Sequence, residues 1–238
     1  MHISILTLFP QMFLGPFEYS IVKRAQATGV VDIRLINIRD FSTDSHKTVD
    51  DHPYGGGAGM ILRVDVIDRA LQSVKRQKKD VKEKIVLLDP QGTPYAQSKA
   101  RELSVTNHVI LICGHYEGID ERVRSLVDET ISIGDFVLTG GEIPAMAITD
   151  SIVRLLPGVL QKDTATVDES FTHDLLEYPQ YTRPQQYLDM KVPAILLSGD
   201  HKAIADWRNR QQIANTEDRR PDLKKKIPLQ SKRVAGTR

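Results

Sequence analysis

Five short apolar runs recur along the chain as far as residue 133, at 2–9, 32–38, 84–88, 107–113 and 128–133. Between them, residues 18–29, 64–78, 95–103 and 118–127 read as helices, and 144–156 closes the block with another. The clearest is 64–78, where Val66, Ile67, Ala70, Leu71 and Val74 recur at helical spacing. Strands separated by helices cannot be joined by tight hairpins, so this order predicts an α/β domain with a parallel sheet. The first β–α–β unit should cross over with a right hand. It also predicts where a ligand would sit, since open α/β sheets bind ligands beyond the carboxyl ends of their strands.

Three of those ends carry glycine or proline: LLDPQGTPY (87–95), LICGHYEGID (111–120) and IGDFVLTGGEIP (133–144). In the third, the short apolar run Phe136, Val137 and Leu138, read as strand, leads into Thr139, Gly140 and Gly141. Thr139 or a glycine suits the N-cap of the next helix, and Pro144 falls in its first turn, where a missing N–H costs nothing. Adjacent glycines let backbone amides approach a ligand where any Cβ would collide. Taken singly, each is an ordinary glycine turn; at neighbouring strand ends they would form one crevice.

Residues 39–60, RDFSTDSHKTVDDHPYGGGAGM, are polar and aperiodic. Segments that long without a regular period are usually functional or disordered. Asp50, Asp51, Pro53 and Tyr54 lead into Gly55, Gly56, Gly57, Ala58 and Gly59. Such a run wraps phosphate with its amides or is merely a flexible loop, and the sequence leaves both open. No Gly-Lys-Ser/Thr follows, so it is not a Walker loop. His46, Asp50, Asp51 and His52 match no standard ligand spacing, so no metal is expected.

At 238 residues the chain suits one large domain, or a medium domain with a small one. A hydrophobic content of 40% with 26% charged residues is enough to bury a core. No apolar run approaches the roughly 20 residues of a membrane helix, and MHISILTLFP lacks a basic leader, so a cytoplasmic, non-membrane protein is expected. The single cysteine, Cys113, excludes an internal disulfide and reads as a buried thiol. Net charge is only +1, yet from Asn215 onward there are eight Lys/Arg against three acids. A solvated tail is the plain reading of such a run, and contact with phosphate the other. After Pro157 and Gly158 the character changes: residues 161–171 read as a linker. A small, mostly helical domain follows, with Ile204, Trp207 and Ile213 at helical spacing over 201–214 and Arg208 and Arg210 on its polar side.

HKTVDDHPYGGGAGM, LLDPQGTPY, LICGHYEGIDERV, SIGDFVLTGGEIPAM, LLPGVL, ESF, LLEYPQYTRP and RRPDL occur in this order. Through these strings the chain resembles the bacterial tRNA (guanine-N1)-methyltransferases (TrmD type) of the SPOUT superfamily, over about residues 1–223. The residues alone imply an open Rossmann-like sheet, and knots are rare exceptions. The resemblance implies such an exception, a SPOUT-type parallel sheet with a C-terminal trefoil knot and a small, mostly helical C-terminal domain. It divides the chain into a cofactor domain (1–160), a linker (161–175) and a tRNA-binding domain (176–238). The three glycine-bearing turns become the knot loops, which hold S-adenosyl-L-methionine in a bent shape. Carried over by motif, the cofactor contacts fall on Leu88 and Pro90 in the first turn, and on Gly114, Tyr116 and Glu117 in the second. In the third they fall on Ile133, Gly134, Asp135, Phe136, Val137 and Leu138, then on Gly140, Gly141 and Pro144.

The same resemblance implies methylation of N1 of the guanosine 3′-adjacent to the anticodon (position 37) of tRNA. That nitrogen carries a proton at neutral pH, so a general base assists its attack on the methyl group. The family's acidic base precedes a Ser-Phe pair; here that position is Glu169, before Ser170 and Phe171. The usual residue is Asp, which leaves neighbouring Asp168 as the other candidate, with Glu169 favoured. Arg154 would contact the target guanine and stabilise charge developing on O6. Asp50, Tyr54, Gly55, Gly56, Gly57 and Gly59 match positions that line the target base and anticodon stem, and Glu177 and Arg183 fall in a tRNA-contacting segment. The family works as a homodimer whose sites join the knot of one subunit to the linker of the other. Two competing classes are weaker. A dinucleotide-dependent oxidoreductase would carry G-x-G-x-x-G after the first strand, and residues 9–20 hold no such pattern. A non-catalytic RNA-binding module would bind tRNA without turnover.

Overall fold

The computed structural model describes residues 1–76, 82–160, 166 and 169–224. Its elements in chain order begin with β1 (His2–Thr7), α1 (Leu14–Phe17), α2 (Ser20–Ala27) and β2 (Asp32–Asn37). There follow two short strands, β3 (Asp50–Asp51) and β4 (Ile61–Leu62), then α3 (Val64–Val74), β5 (Glu83–Pro94), α4 (Gln97–Ser104), β6 (His108–Cys113), β7 (Glu129–Ser132) and α5 (Glu142–Val153). These belong to a first compact unit, Met1–Asp163. A second unit, Thr164–Arg238, holds a hairpin of β8 (Gln186–Tyr187) and β9 (Met190–Lys191), then α6 (His201–Arg219) and α7 (Pro221–Lys224).

The first unit is built on a sheet of order β2-β1-β6-β5-β7, with every neighbouring pair parallel. Central β6 reads HVILIC, and all six residues are buried. A strand covered on both faces needs this continuous apolar run rather than alternation. Its side chains divide by parity. Val109, Leu111 and Cys113 join Ile3 and Ile5 of β1 against Val22 and Ala25 of α2 and Ala145, Ile148 and Ile152 of α5. Ile110 and Ile112 join Leu6, Ile85 and Leu87 against Val66, Ile67, Ala70 and Leu71 of α3. The mixed α/β class and parallel sheet expected from the sequence are therefore present.

Three local expectations give way. Residues 118–127 form no α-helix: a 3-10 turn spans Glu121–Leu126, entered through Asp120, whose carboxylate accepts from the Arg122 amide. That short polar side chain caps the turn, and only Val123 within it is buried, so no apolar stripe drives a longer helix. The run Phe136–Leu138 is loop rather than strand, with Phe136 and Val137 exposed. Strand 84–88 continues to Pro94, because its register against β7 shifts between Leu88 and Thr93 and lets residues 89–92 bulge out. At that bulge Gly92 is required, since a Cβ there would lie 2.5 Å from the backbone of Ile131.

In the second unit, Asp200 caps α6 by accepting from the Ala203 amide at 3.0 Å. Buried Thr216 of α6 accepts from the Leu176 amide at 2.8 Å, and Asn215 donates to the Glu177 carbonyl. Among the described residues no helix is long and apolar enough to cross a membrane.

Candidate active site

A cavity of about 300 Å³ opens beyond the carboxyl ends of β6 and β7 and beside the β5 bulge. One wall is the bulge itself, Leu88–Gln91. The second is the turn after β6, Gly114–Ile119. The third is formed by Ile133, Gly134 and Phe136–Gly141, with Pro144 of α5 behind them. The three turns singled out in the sequence are thus in one place. Every residue carried over as a cofactor contact lines the cavity except Asp135.

Close backbone approach explains why glycines stand at the join. The Gly141 amide donates to the Gly114 carbonyl at 2.8 Å, and His115 and Gly140 form an isolated antiparallel bridge. A Cβ on Gly141 would lie 2.7 Å from the Cα of Cys113. Below the join, the Cys113 thiol is pushed well above its ordinary pKa by burial, with the negative field of Glu142 adding to it. Cys113 is therefore an inert core thiol.

Four lining or supporting residues were not picked out by sequence reasoning. Arg124 lines the cavity and donates to Asp89 and Gln91 of the bulge and to Thr130 of β7, while its Nε reaches Glu121 at 3.0 Å. It thereby ties the β5 bulge to β7. Asp89, its partner at 3.3 Å, and His115 also line the cavity. Glu142 is 2% exposed beneath the third turn. It stands at the start of α5, and burial sets it apart from an ordinary helix-start acid.

The glycine-rich segment reaches the rim of the same cavity. Asp50 and Asp51 of β3 pair with Leu62 and Ile61 of β4, so the run between them is a closed loop. Its end is pinned to the second turn: the Glu117 amide donates to Met60, and the Leu62 amide to Gly118. A Cβ on Gly59 would lie 2.3 Å from the Glu117 Cγ, which only glycine avoids. Gly55, Gly56, Gly57 and Gly59 all have positive φ, and Tyr54 beside them is fully exposed. At the loop's base, the Asp44 carboxylate accepts from the Ser42 and Thr48 hydroxyls and from the His46 and Thr48 amides. Those bonds, the Ser42 hydroxyl foremost, hold its pKa far below the usual carboxylate range. Tyr116, at φ 61°, has its hydroxyl held by Arg39 at 3.3 Å.

Arg154 is the C-cap of α5, at the far end of the helix that begins under the third turn. Glu169 lies in the second unit, in a turn closed by the Thr172 amide on its carbonyl. Phe171, φ 70°, completes that turn under the Arg220 guanidinium, 5.7 Å from its ring centroid. Glu177 is tied back to it, its amide donating to the Ser170 hydroxyl at 3.0 Å. Arg183 is exposed. Asp168, the other candidate base, lies outside the described residues, as do most of 161–168 and the basic residues after Lys224. Among the described residues no three His, Cys, Asp or Glu side chains converge to hold a metal ion.

A parallel sheet whose strand-end turns close on one cavity, with a glycine loop pinned at its rim, defines an α/β protein with a ligand-sized cavity beyond the carboxyl ends of its strands. The chain belongs to the tRNA (Guanine-1)-methyltransferase TrmD family, whose profile matches residues 1–226. It is 55% identical over 233 residues to the tRNA (guanine-N(1)-)-methyltransferase of Geobacillus kaustophilus, covering 98% of this chain and 95% of the relative. The same-named protein of Pelotomaculum thermopropionicum is 53% identical over 230 residues, 96% of this chain and 92% of the relative. That of Staphylococcus epidermidis is 49% identical over 233 residues, 98% and 94%.

Proposed function

We propose that this chain transfers a methyl group from S-adenosyl-L-methionine to N1 of the guanosine 3′-adjacent to the anticodon of tRNA. The observation that carries the reading is the convergence of the three turns on one cavity in a chain about half identical, over nearly its whole length, to proteins of that name. The lining fits such a donor. Leu88, Ile133, Leu138 and Pro144 offer apolar faces to a purine, and backbone groups of the glycine turns can meet its edge. Glu117 adds negative charge suited to a cationic sulfonium, while Arg124 is already engaged by Asp89 and Glu121.

When bound, the donor supplies an electrophilic methyl group on sulfur. The protein's part is to orient it, exclude water and move one proton. Glu169 takes the N1 proton as general base, and Arg154 stabilises the charge that then builds on O6. Asp50, Tyr54 and the Gly55–Gly59 loop receive the target nucleotide at the cavity rim. Glu177, Arg183 and the basic C-terminal residues meet the tRNA, which makes binding salt-dependent. Residues 1–160 act as the donor domain, 161–175 as linker and 176–238 as the tRNA-binding domain. The three turns form the loops of a trefoil knot; their convergence on one cavity and the Gly114–Gly141 hydrogen bond between the second and third support this. The working unit is a cytoplasmic homodimer in which Glu169 of one subunit serves the donor cavity of the other.

The test is transfer of labelled methyl from S-adenosyl-L-methionine to tRNA transcripts that differ only at the target guanosine. Label in the G transcript and none in its A counterpart is expected. A folded protein that labels neither removes the proposal.

A further inference from the structure

We infer that Glu142 is a positioning residue for methyl transfer, holding the second and third cavity turns from inside the core through Thr7 and His115. The inference rests on the donor reading of the cavity given above. Its starting point is a cost: an ionised carboxylate taken out of water is unfavourable unless it is hydrogen-bonded or paired, and an apolar residue of similar volume generally packs as well or better. Folding alone therefore does not account for an acid that is 2% exposed.

Its contacts do. The Phe9 amide donates to the Thr7 hydroxyl at 2.9 Å, and that hydroxyl donates to Glu142 Oε1 at 2.8 Å. This relay anchors one carboxylate oxygen to the carboxyl end of β1. The other oxygen, Oε2, faces His115 Nδ1 at 3.9 Å. That nitrogen is buried and, among the described residues, has no hydrogen-bond partner. Gly140 passes between the two side chains: a Cβ on it would stand 2.4 Å from Glu142 Oε2 and 2.6 Å from His115 Nδ1. The imidazole is bracketed by the rings of Phe9, 4.9 Å away, and Tyr116, 5.0 Å away. Glu142 also opens α5, with Gly141 as N-cap, so it joins the third turn to the helix. One buried charge thus touches the end of β1, the first residue of the second turn past Gly114, and the glycine that closes the third. Removing that charge slackens both turns.

The experiment measures donor affinity by calorimetry and methyl-transfer kinetics on the full chain and its Glu142→Gln, Thr7→Val and Thr7→Ser variants. Glu142→Gln keeps the shape, and loses the charge that roughly doubles the strength of the Thr7 hydrogen bond. The expected result is a donor Kd and donor KM raised roughly tenfold or more. At saturating donor, kcat stays within about threefold and the tRNA KM is unchanged. Thr7→Val moves the same way, and Thr7→Ser, which keeps the hydroxyl, stays at the parent value. A Glu142→Gln variant with parental donor affinity overturns the inference. So does a loss confined to kcat, or a Thr7→Ser variant as impaired as Thr7→Val. Should Glu142→Gln fail to show a cooperative melting transition, the valine–serine pair at Thr7 decides alone. A parent that binds donor and methylates no tRNA removes the functional reading instead, and the donor affinities still decide the role of Glu142.

Discussion

Glu169 illustrates how little a single position reveals by itself. It is one acid in a polar stretch, on a turn whose closing bonds, Thr172 to its carbonyl and Glu177 to Ser170, fix the backbone around it. A general base typically contributes a hundredfold or more. Glu169→Ala is therefore expected to lower kcat by at least about 100-fold with donor affinity unchanged, measured by single-turnover methyl transfer and calorimetry. If activity survives and Asp168→Ala abolishes it, the neighbouring carboxylate is the base. At the same scale, Gly140 has a different reason from the one its sequence suggests. A side chain there meets Glu142 and His115 before it meets a ligand.

Among the elements, the segment between β2 and β4 and the lower end of the sheet carry separate predictions. Asp44 is the hub of the loop that ends in the glycine run, and its bonds to Ser42 and Thr48 depend on its charge. Asp44→Asn is expected to raise the tRNA KM several-fold with little change in donor KM. Because the folded-state pKa of Asp44 is depressed, its contribution is present above the unfolded value near 3.8 and is lost as pH falls through the folded one. At the opposite end of the sheet, His108 of β6 is buried between the Ser4 hydroxyl, 2.8 Å from Nε2, and Glu83, 2.7 Å from Nδ1. Burial lowers its pKa, against the pull of Glu83; Arg76 and His2 lower it further. A histidine with a lowered folded pKa binds its proton more readily when unfolded. Stability is thus complete above its ordinary value near 6.5 and declines as pH falls below it. Urea midpoints measured from about pH 7.5 to about pH 5.5 should fall in the parent and flatten in His108→Gln.

For the whole molecule, the proposed sharing of sites between subunits makes a prediction that no single-chain site would. Glu169→Ala supplies an intact cavity without a base, and Gly140→Val an intact base with a cavity whose second and third turns are forced apart. Each homodimer is inactive. Mixed and allowed to exchange, half the dimers are heterodimers with one complete site each, so about a quarter of the parental activity should return. A mixture as inactive as its parts would place the base and cavity of each site in one subunit.

The parallel α/β class was legible in the chain, through the run HVILIC and the alternation of such runs with amphipathic helices, and the sequence marked the three glycine turns as strand ends. Local spacing is sufficient for these, because periodicity and glycine's lack of a Cβ act within a few residues. It misjudged 118–127 and 136–138, where a side-chain cap and a bare loop prevail over apolar content. Three-dimensional packing was needed to show that the turns meet, that Gly92 abuts Ile131 and Gly141 abuts Cys113, that Arg124 lines the cavity and that Glu142 is buried against Thr7. Burial and contact between residues 135 positions apart, as Thr7 and Glu142 are, depend on how the strands are ordered in the sheet, and no local pattern encodes that order.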